Sequence, residues 1–380
     1  MGNKIVFLDL KLQYKSIKNK IEKSIQRVLD SGVFVGGEEV KKFEEELARF
    51  CGVKYAISVN SGTDALFLSL KALGIGQGDE VITTPFTFIA TAEAIANCGA
   101  RPVFVDIKSD TFNIDPELVE GLITKKTKAI MPVHIFGQMA DMEEIILIAK
   151  KNKLFVIEDS AQAMGAEYGA GLPRKSTAKA GTIGDLGCFS FFPSKSLGAM
   201  GDGGAVLTNN RKLSDKIRLF KNHGSSLNDK YKNLILGINS RLDSFQASIL
   251  RVKLMYLNKW NKEREKVADY YSENLKEIKE INIPIVKDGR NHIFHQYTIR
   301  AKSRDKLKKY LEKEGIPTMI YYPLPLHLQP ALKYLGYKKG DFVEAEKASK
   351  EVLSLPIYPE LPVKGQDFVV EKIKEFYKKW

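Results

Sequence analysis

From about residue 50 to 210, short β-rich runs alternate with segments whose apolar residues recur at three- and four-residue steps. This alternation is the strongest constraint on the fold. The first pattern suits a buried strand and the second a helix laid over it. Strands are expected at 55–59, 80–83, 102–105, 129–133, 154–158, 187–192 and 204–208. Helices are expected over 63–73, 89–97, 115–122 and 141–151, between most of those strands. An α/β fold around a central, mainly parallel seven-stranded sheet follows. The last two runs are separated by a glycine-rich loop, so strict strand–helix alternation fails there.

Residues 13–30 and 37–50 read as two leading helices joined at Gly36-Gly37, and 243–275 as one long helical stretch. A smaller α+β segment follows, with a strand at 295–301 and the proline-rich Tyr321-Tyr-Pro-Leu-Pro-Leu-His327. A chain of 380 residues has room for two lobes, expected at 1–250 and 251–380, and no flexible linker separates them. No uncharged apolar run approaches the ~20 residues of a membrane span. Asp9 follows only four apolar residues, so no signal peptide is expected. Gly2 lacks the hydroxyl residue that a myristoylation signal wants at position six. Cys51, Cys98 and Cys188 form no CxxC pair and suit reduced thiols in a cytoplasmic protein. His292 and His295 lack further ligands nearby, so no metal site is expected. The formal charge of +13 favours an anionic partner, either nucleic acid or a small phosphorylated ligand. The lysines are scattered, often beside glutamates, and no DNA-binding module is evident, which argues against nucleic acid.

In open α/β sheets ligands bind beyond the carboxyl ends of strands. Lys195 lies there, in Phe189-Ser-Phe-Phe-Pro-Ser-Lys-Ser-Leu-Gly-Ala-Met-Gly-Asp-Gly-Gly204. A lysine in such a place either crosses a strand end or, desolvated, forms a Schiff base with a carbonyl. Asn60-Ser-Gly-Thr-Asp-Ala65 opens a helix and suits a phosphate at Gly62 and the free amides of the helix start, or serves only as turn and cap. Glu158-Asp159-Ser-Ala-Gln162 puts two acids after a buried run. Asp159 can pair with the protonated nitrogen of pyridoxal phosphate, making its ring an electron sink, or can cap a helix. Phe88 can offer a face to a flat ring or pack in the core. Ser190 can offer a hydroxyl to a phosphate. All these residues suit one cofactor.

Assembled in order, these segments resemble the DegT/DnrJ/EryC1/StrS family of pyridoxal-phosphate-dependent sugar aminotransferases. The likeness runs from Phe7-Leu-Asp-Leu-Lys-Leu-Gln13 through Ser61-Gly-Thr-Asp-Ala-Leu66, Gly78-Asp-Glu-Val-Ile82 and Phe136-Gly-Gln138 to Glu158-Asp-Ser-Ala-Gln162. It continues through the Lys195 segment, Asn239-Ser-Arg-Leu-Asp243 and Tyr322-Pro-Leu-Pro-Leu-His-Leu-Gln329. Ser160 is one departure, where many relatives have Ala.

The resemblance implies the aspartate aminotransferase-like fold type I and a homodimer with shared active sites. It places Lys195 on the lysine that bonds the cofactor and Asp159 on the partner of its ring nitrogen. Gln162 falls near the phenolic oxygen, Phe88 on the stacking aromatic, and Gly62, Thr63 and Ser190 on the phosphate site. Asn239 of the neighbouring subunit is expected to join that phosphate site. Arg241, Tyr321, Tyr322 and His327 match positions near the sugar nucleotide, and Arg241 is a candidate for a uronate carboxylate. Relatives with His in place of the lysine perform dehydration, so Lys195 implies transamination. L-Glutamate is the implied donor and a nucleotide-diphosphate keto sugar the acceptor. The run after Lys195 looks nearest to enzymes aminating C3, of a UDP-2-acetamido-3-oxo-glucuronate or a dTDP-3-keto-6-deoxyhexose, for surface glycans. A 4-keto sugar or a ketocyclitol is the alternative within the family, and a nucleic-acid-binding regulator a remote one.

Overall fold

The computed structural model describes residues 5–169, 177–226, 229 and 231–379; Gly2 and its neighbours lie outside them. Two helices lead, α1 (Leu10–Ser31) and α2 (Gly37–Cys51). The alternating region then gives β1 (Tyr55–Val59), α3 (Gly62–Leu73), β2 (Glu80–Thr83), α4 (Ala90–Asn97) and β3 (Arg101–Phe104). It continues with β4 (Thr127–Ile130), α5 (Met142–Asn152), β5 (Phe155–Asp159), the short pair β6 (Glu167–Tyr168) and β7 (Ala178–Lys179), β8 (Leu186–Ser190) and β9 (Gly204–Thr208).

Seven of these strands form one sheet in the order β1-β9-β8-β5-β4-β2-β3. The pairs β8–β5, β5–β4, β4–β2 and β2–β3 are parallel. β9 is antiparallel to both its neighbours. A parallel return needs a crossover, usually a helix, and the loop bearing Lys195 contains none. The chain therefore turns back directly, which is the break in alternation seen in the sequence.

Both faces of the sheet are covered. Along β9, Val206 packs with Ile57, Leu66 and Ile217, whereas Ala205 and Leu207 pack with Phe43, Leu47 and Leu250. Neighbouring strand residues point to opposite faces, so a strand buried on both sides must be apolar throughout. This is why the β9 run Gly-Ala-Val-Leu-Thr is so readable.

Two expected elements differ. Residues 115–122 form two single turns of 3₁₀ helix, Pro116–Leu118 and Glu120–Leu122, instead of one α-helix. The Asp115 side chain caps the first by accepting from the Glu117 amide at 3.1 Å, and Gly121 weakens any continuation. The stretch 243–275 is two helices, α7 (Ser244–Leu254) and α8 (Leu257–Leu275), after α6 (Arg211–Phe220). They part at Tyr256, whose ring stacks on Trp260 at 5.7 Å.

The C-terminal part carries a three-stranded antiparallel sheet, β10 (Ile281–Asn282), β11 (Tyr297–Ala301) and β12 (Val352–Leu355). Around it lie α9 (Arg304–Lys313), α10 (Val343–Glu351) and α11 (Val363–Lys378). Tyr271, Tyr297, Leu307, Leu353 and Ile373 bind α8, α9 and α11 to that sheet in one buried cluster. Among the described residues no helix is long and apolar enough to cross a membrane. All three cysteines are buried thiols.

Candidate active site

At the carboxyl ends of β1, β5 and β8 lies a cavity of about 650 Å³. Gly62, Thr63, Phe88, Asp159, Gln162, Ser190, Lys195, Tyr321 and Tyr322 all line it. These residues come from across the sequence, and the sheet topology is what gathers them.

The turn after β1 is built for close approach. Ser61 caps α3, its Oγ accepting from the Asp64 amide at 3.1 Å. The amides of Gly62 and Thr63 head the helix, where no intrahelical carbonyl can reach them. A side chain on Gly62 would place its Cβ 2.6 Å from the Cβ of Ser190. Only glycine lets the turn lie against the end of β8. Ser190 Oγ accepts from the Phe192 amide at 3.3 Å, leaving its own proton to donate outward.

The adjacent acids Glu158 and Asp159 divide their work because a strand turns them to opposite sides. Glu158 is fully buried and accepts from the amides of Ile183 and Gly184 at 2.7 and 2.6 Å. Its other oxygen accepts from the Gly181 amide at 2.8 Å and meets His134 Nε2 at 2.9 Å. His134 Nδ1 accepts from the Ala140 amide, so its proton is on Nε2 and points at the carboxylate. Glu158 thus ties down the segment leading into β8. Glu158→Ala should strand these donors and lower stability by about 3–5 kcal/mol, read from urea unfolding. An unchanged midpoint would contradict that role.

Asp159 faces the cavity. Its Oδ2 accepts from Thr91 Oγ1 at 2.8 Å and its Oδ1 from the Ala161 amide at 3.2 Å. Since Thr91 donates to Asp159, Thr87 must donate to Thr91, 3.1 Å away. Burial nevertheless pushes the Asp159 carboxyl up, against those hydrogen bonds and the pull of Lys195. An ionised carboxylate here calls for a cation. Lys195 stands in a turn, its amide donating to the Phe192 carbonyl at 2.8 Å. Burial lowers its amine to about 8, and only the charge of Asp159 opposes this. A useful fraction of the amine is therefore neutral and nucleophilic near neutral pH.

Phe86 and Phe88 show opposite fates. Phe86 is buried against Phe112 and Phe136, whereas Phe88 stays 56 % exposed on the cavity wall. The Gln162 amide is fixed at both ends. Its Oε1 accepts from the Phe136 amide at 2.8 Å, and its Nε2 donates to the Tyr322 hydroxyl at 3.0 Å. Burial pushes the Tyr322 phenol upward, so it stays protonated. Ser160, the departure noted above, has a buried hydroxyl without a partner among the described residues.

Three residues singled out in the sequence do not line this cavity. His327 is buried away from the cavity, its Nε2 3.1 Å from Glu346 Oε1 and its ring against Phe342. The Leu326 amide is bound to the Pro85 carbonyl, and the 3₁₀ turn that follows packs His327 into an aromatic cluster. Asn239 is exposed and Arg241 half-exposed, and neither lines this cavity. The geometry adds two residues that sequence reasoning missed. Thr91 gave no local signal, because its contact spans 68 residues. His295 was noted only as half of a weak metal pair, yet it lines the cavity. Burial, then Lys195, Arg264 and His292, hold its imidazole well below its usual range and hence neutral.

The donor set fits pyridoxal 5′-phosphate. Free helix-terminal amides and the Ser190 hydroxyl suit the phosphate, the Lys195 amine an aldehyde, and Asp159 a protonated ring nitrogen. The exposed face of Phe88 suits the ring.

Comparison with known proteins agrees with this donor set. The pattern of the DegT/DnrJ/EryC1/StrS aminotransferase family matches residues 15–374. The chain belongs to that family. As a DegT/DnrJ/EryC1/StrS aminotransferase it is a transaminase with pyridoxal 5′-phosphate as cofactor. It is 51 % identical to the pleiotropic regulatory protein of Geobacillus stearothermophilus, covering 98 % of this chain and 99 % of that one. It is 44 % identical to the UDP-2-acetamido-2-deoxy-3-oxo-D-glucuronate aminotransferase of Pseudomonas aeruginosa, over 94 % and 96 % of the two chains. Among solved structures, S. venezuelae DesV in complex with a ketimine intermediate superposes with a TM-score of 0.95 at 39 % identity, covering 99 % of each chain.

Proposed function

We propose that this aminotransferase transfers the amino group of L-glutamate to C3 of a nucleotide-linked 3-keto sugar and works as a homodimer. The UDP-2-acetamido-3-oxo-glucuronate and dTDP-3-keto-6-deoxyhexose types are the favoured acceptors, feeding surface glycan synthesis. The observation that carries the reading is a desolvated Lys195 sharing one cavity with Asp159, Phe88 and the α3 amides. The name of the P. aeruginosa relative supports the acceptor class.

Bound in this cavity, pyridoxal 5′-phosphate supplies an aldehyde and a ring that accepts electrons from a breaking C–H bond. The amides of Gly62 and Thr63, with the Ser190 hydroxyl, hold the phosphate. Phe88 would offer its face to the ring, and Gln162, held by Tyr322, would serve the phenolic oxygen. Asp159 holds a proton at the ring nitrogen. Lys195 would hold the aldehyde through its neutral amine and would be released when the amine of glutamate takes its place. Once free, its Nζ takes the proton from the α-carbon of the donor as general base. The same amine serves the keto sugar in reverse.

A dimer is supported by an exposed apolar run, Val33, Phe34 and Val35, lying beside the segment that carries Asn239 and Arg241. Phe34 stacks on Phe245 at 5.6 Å, and Val35 bridges Asp243. In this reading Asn239 and Arg241 serve the partner's cavity, Asn239 at the phosphate and Arg241 at the sugar nucleotide. Tyr321 and Tyr322 border the sugar from the same subunit.

The test is a panel of UDP- and dTDP-linked keto sugars and ketocyclitols offered with L-glutamate, with products identified by mass. Amination at C3 of a nucleotide sugar is expected. Amination at C4 alone, or of a cyclitol alone, would overturn the assignment. The Lys195 amine also predicts a pH dependence. Only its neutral form attacks an aldehyde, so capture of cofactor by the cofactor-free protein should speed up as pH rises through about 8, then level off. Stopped-flow absorbance measures this, and a rate flat between about pH 6 and 9 would count against it.

A further inference from the structure

The segment carrying Asn239 and Arg241 is fastened to the turn that heads α3. Ser240 is completely buried between them. Its Oγ donates to Asp64 Oδ2 at 2.6 Å and accepts from the Asn60 amide at 3.1 Å. Its own amide donates to the Lys221 carbonyl at 2.9 Å. Lys221 Nζ in turn donates to the Ser58 carbonyl at 2.5 Å, at the end of β1. On the far side, Asn239 pairs with Asn222, and Arg241 Nη1 meets Asn222 Oδ1 at 3.4 Å. One hydroxyl therefore joins two structures that sequence separates by 176 residues.

The chemistry of the junction is directional. Asp64 lies in the first turn of α3, beside the amides of Gly62 and Thr63. A phosphate at those amides brings a second negative charge within one helical turn of the Asp64 carboxylate. The proton of Ser240 stabilises that carboxylate, and a hydrogen bond to an ionised acceptor strengthens as the charge becomes costlier to hold. Anion binding at the turn thus tightens the grip on Ser240 and with it the backbone of 239–241. By linkage, anything that fixes 239–241 favours the anion at the turn.

We propose that Ser240 and Asp64 are positioning residues that couple the phosphate turn of one subunit to the Asn239–Arg241 segment it lends to its partner. The two cavities of the dimer then take up cofactor cooperatively. This rests on the dimeric reading given above. Neither residue touches the cofactor in this arrangement, and both act through what they hold in place.

The test is titration of cofactor-free protein with pyridoxal 5′-phosphate, followed by absorbance, with light scattering to report the dimer. Wild-type protein should give an isotherm steeper than a simple hyperbola. Ser240→Ala should weaken binding about tenfold; Asp64→Asn, which removes the opposing charge, should not; and each should abolish the steepness. The double variant should be no worse than Ser240→Ala. Ser240→Thr keeps the hydroxyl and should restore both affinity and steepness, which a mere packing defect would not require. A dimer with a hyperbolic wild-type isotherm, or a double variant that binds more weakly than Ser240→Ala, would overturn the latch alone. A monomer, or a protein that takes up no cofactor, would overturn it together with the reading it rests on.

Discussion

Lys195→Ala is expected to lower transamination by on the order of 10⁴-fold, because in the proposed mechanism one side chain holds the cofactor and also moves the substrate proton. The loss should appear in each half-reaction separately, measured in single turnover with glutamate and with the keto sugar. Exogenous small amines should restore part of the rate, since they replace a base without rebuilding the anchor. Borohydride reduction of the loaded protein provides the positive counterpart. It should attach the cofactor to the peptide containing Lys195 and to no other lysine. Lys253 is the instructive control, because it too is buried and lowered to about 8. Its Nζ, however, is bound to the Gly198 carbonyl at 2.7 Å, outside the cavity. Label on Lys253 would show that burial alone, without the cavity, selects the reactive amine, and would refute the assignment.

Asp159→Asn separates catalysis from stability with opposite signs. Turnover should fall about 10³-fold, because a neutral amide no longer favours a proton on the ring nitrogen. The cofactor-free protein should at the same time become more stable. The folded carboxyl is raised above its unfolded value, so the folded state binds more protons than the unfolded one between those two pKa values. Stability is therefore lost as pH rises through that window. Asparagine removes the charge and still offers an oxygen to Thr91. Thermal melts with and without cofactor test this directly. A variant that melts lower in the cofactor-free state would mean that the carboxylate is structurally favourable after all. Such an exchange of stability for function is common where a charge must be kept in a dry site.

The sheet was legible because its strands are apolar on both faces, and seven short apolar runs leave little freedom in their assignment. The helix expected over 115–122 was not, because its period is helical while Pro116 and Gly121 favour short turns. The break at Tyr256 was also hidden, since nothing in 243–275 interrupts the apolar spacing and only the stack on Trp260 marks the corner. At the site, residues within readable turns were found, among them Gly62, Asp159 and Lys195. Thr91 and His295 were missed because their importance arises only from contacts across the fold. Glu158 and Asp159 stood side by side as equals in the sequence. Strand geometry distinguishes them, sending one into a nest of amides and the other into the cavity. His327 lies in a segment that matches the family order, yet its side chain turns into an aromatic cluster, a contact that no local pattern announces.

The position of β9 also fixes when the site can come into being. β1 is an edge strand whose one partner in the sheet is β9, with Tyr55 facing Thr208. The turn that ends in Gly62 cannot reach Lys195 until that distant strand has been inserted between β1 and β8. Pairings of such long range form slowly and late. Until that pairing is made, Lys195 has no turn beside it to hold a phosphate. A reactive amine without its pocket is an ordinary solvated lysine, mostly protonated near neutral pH. The topology thereby delays chemical competence until the large sheet is complete.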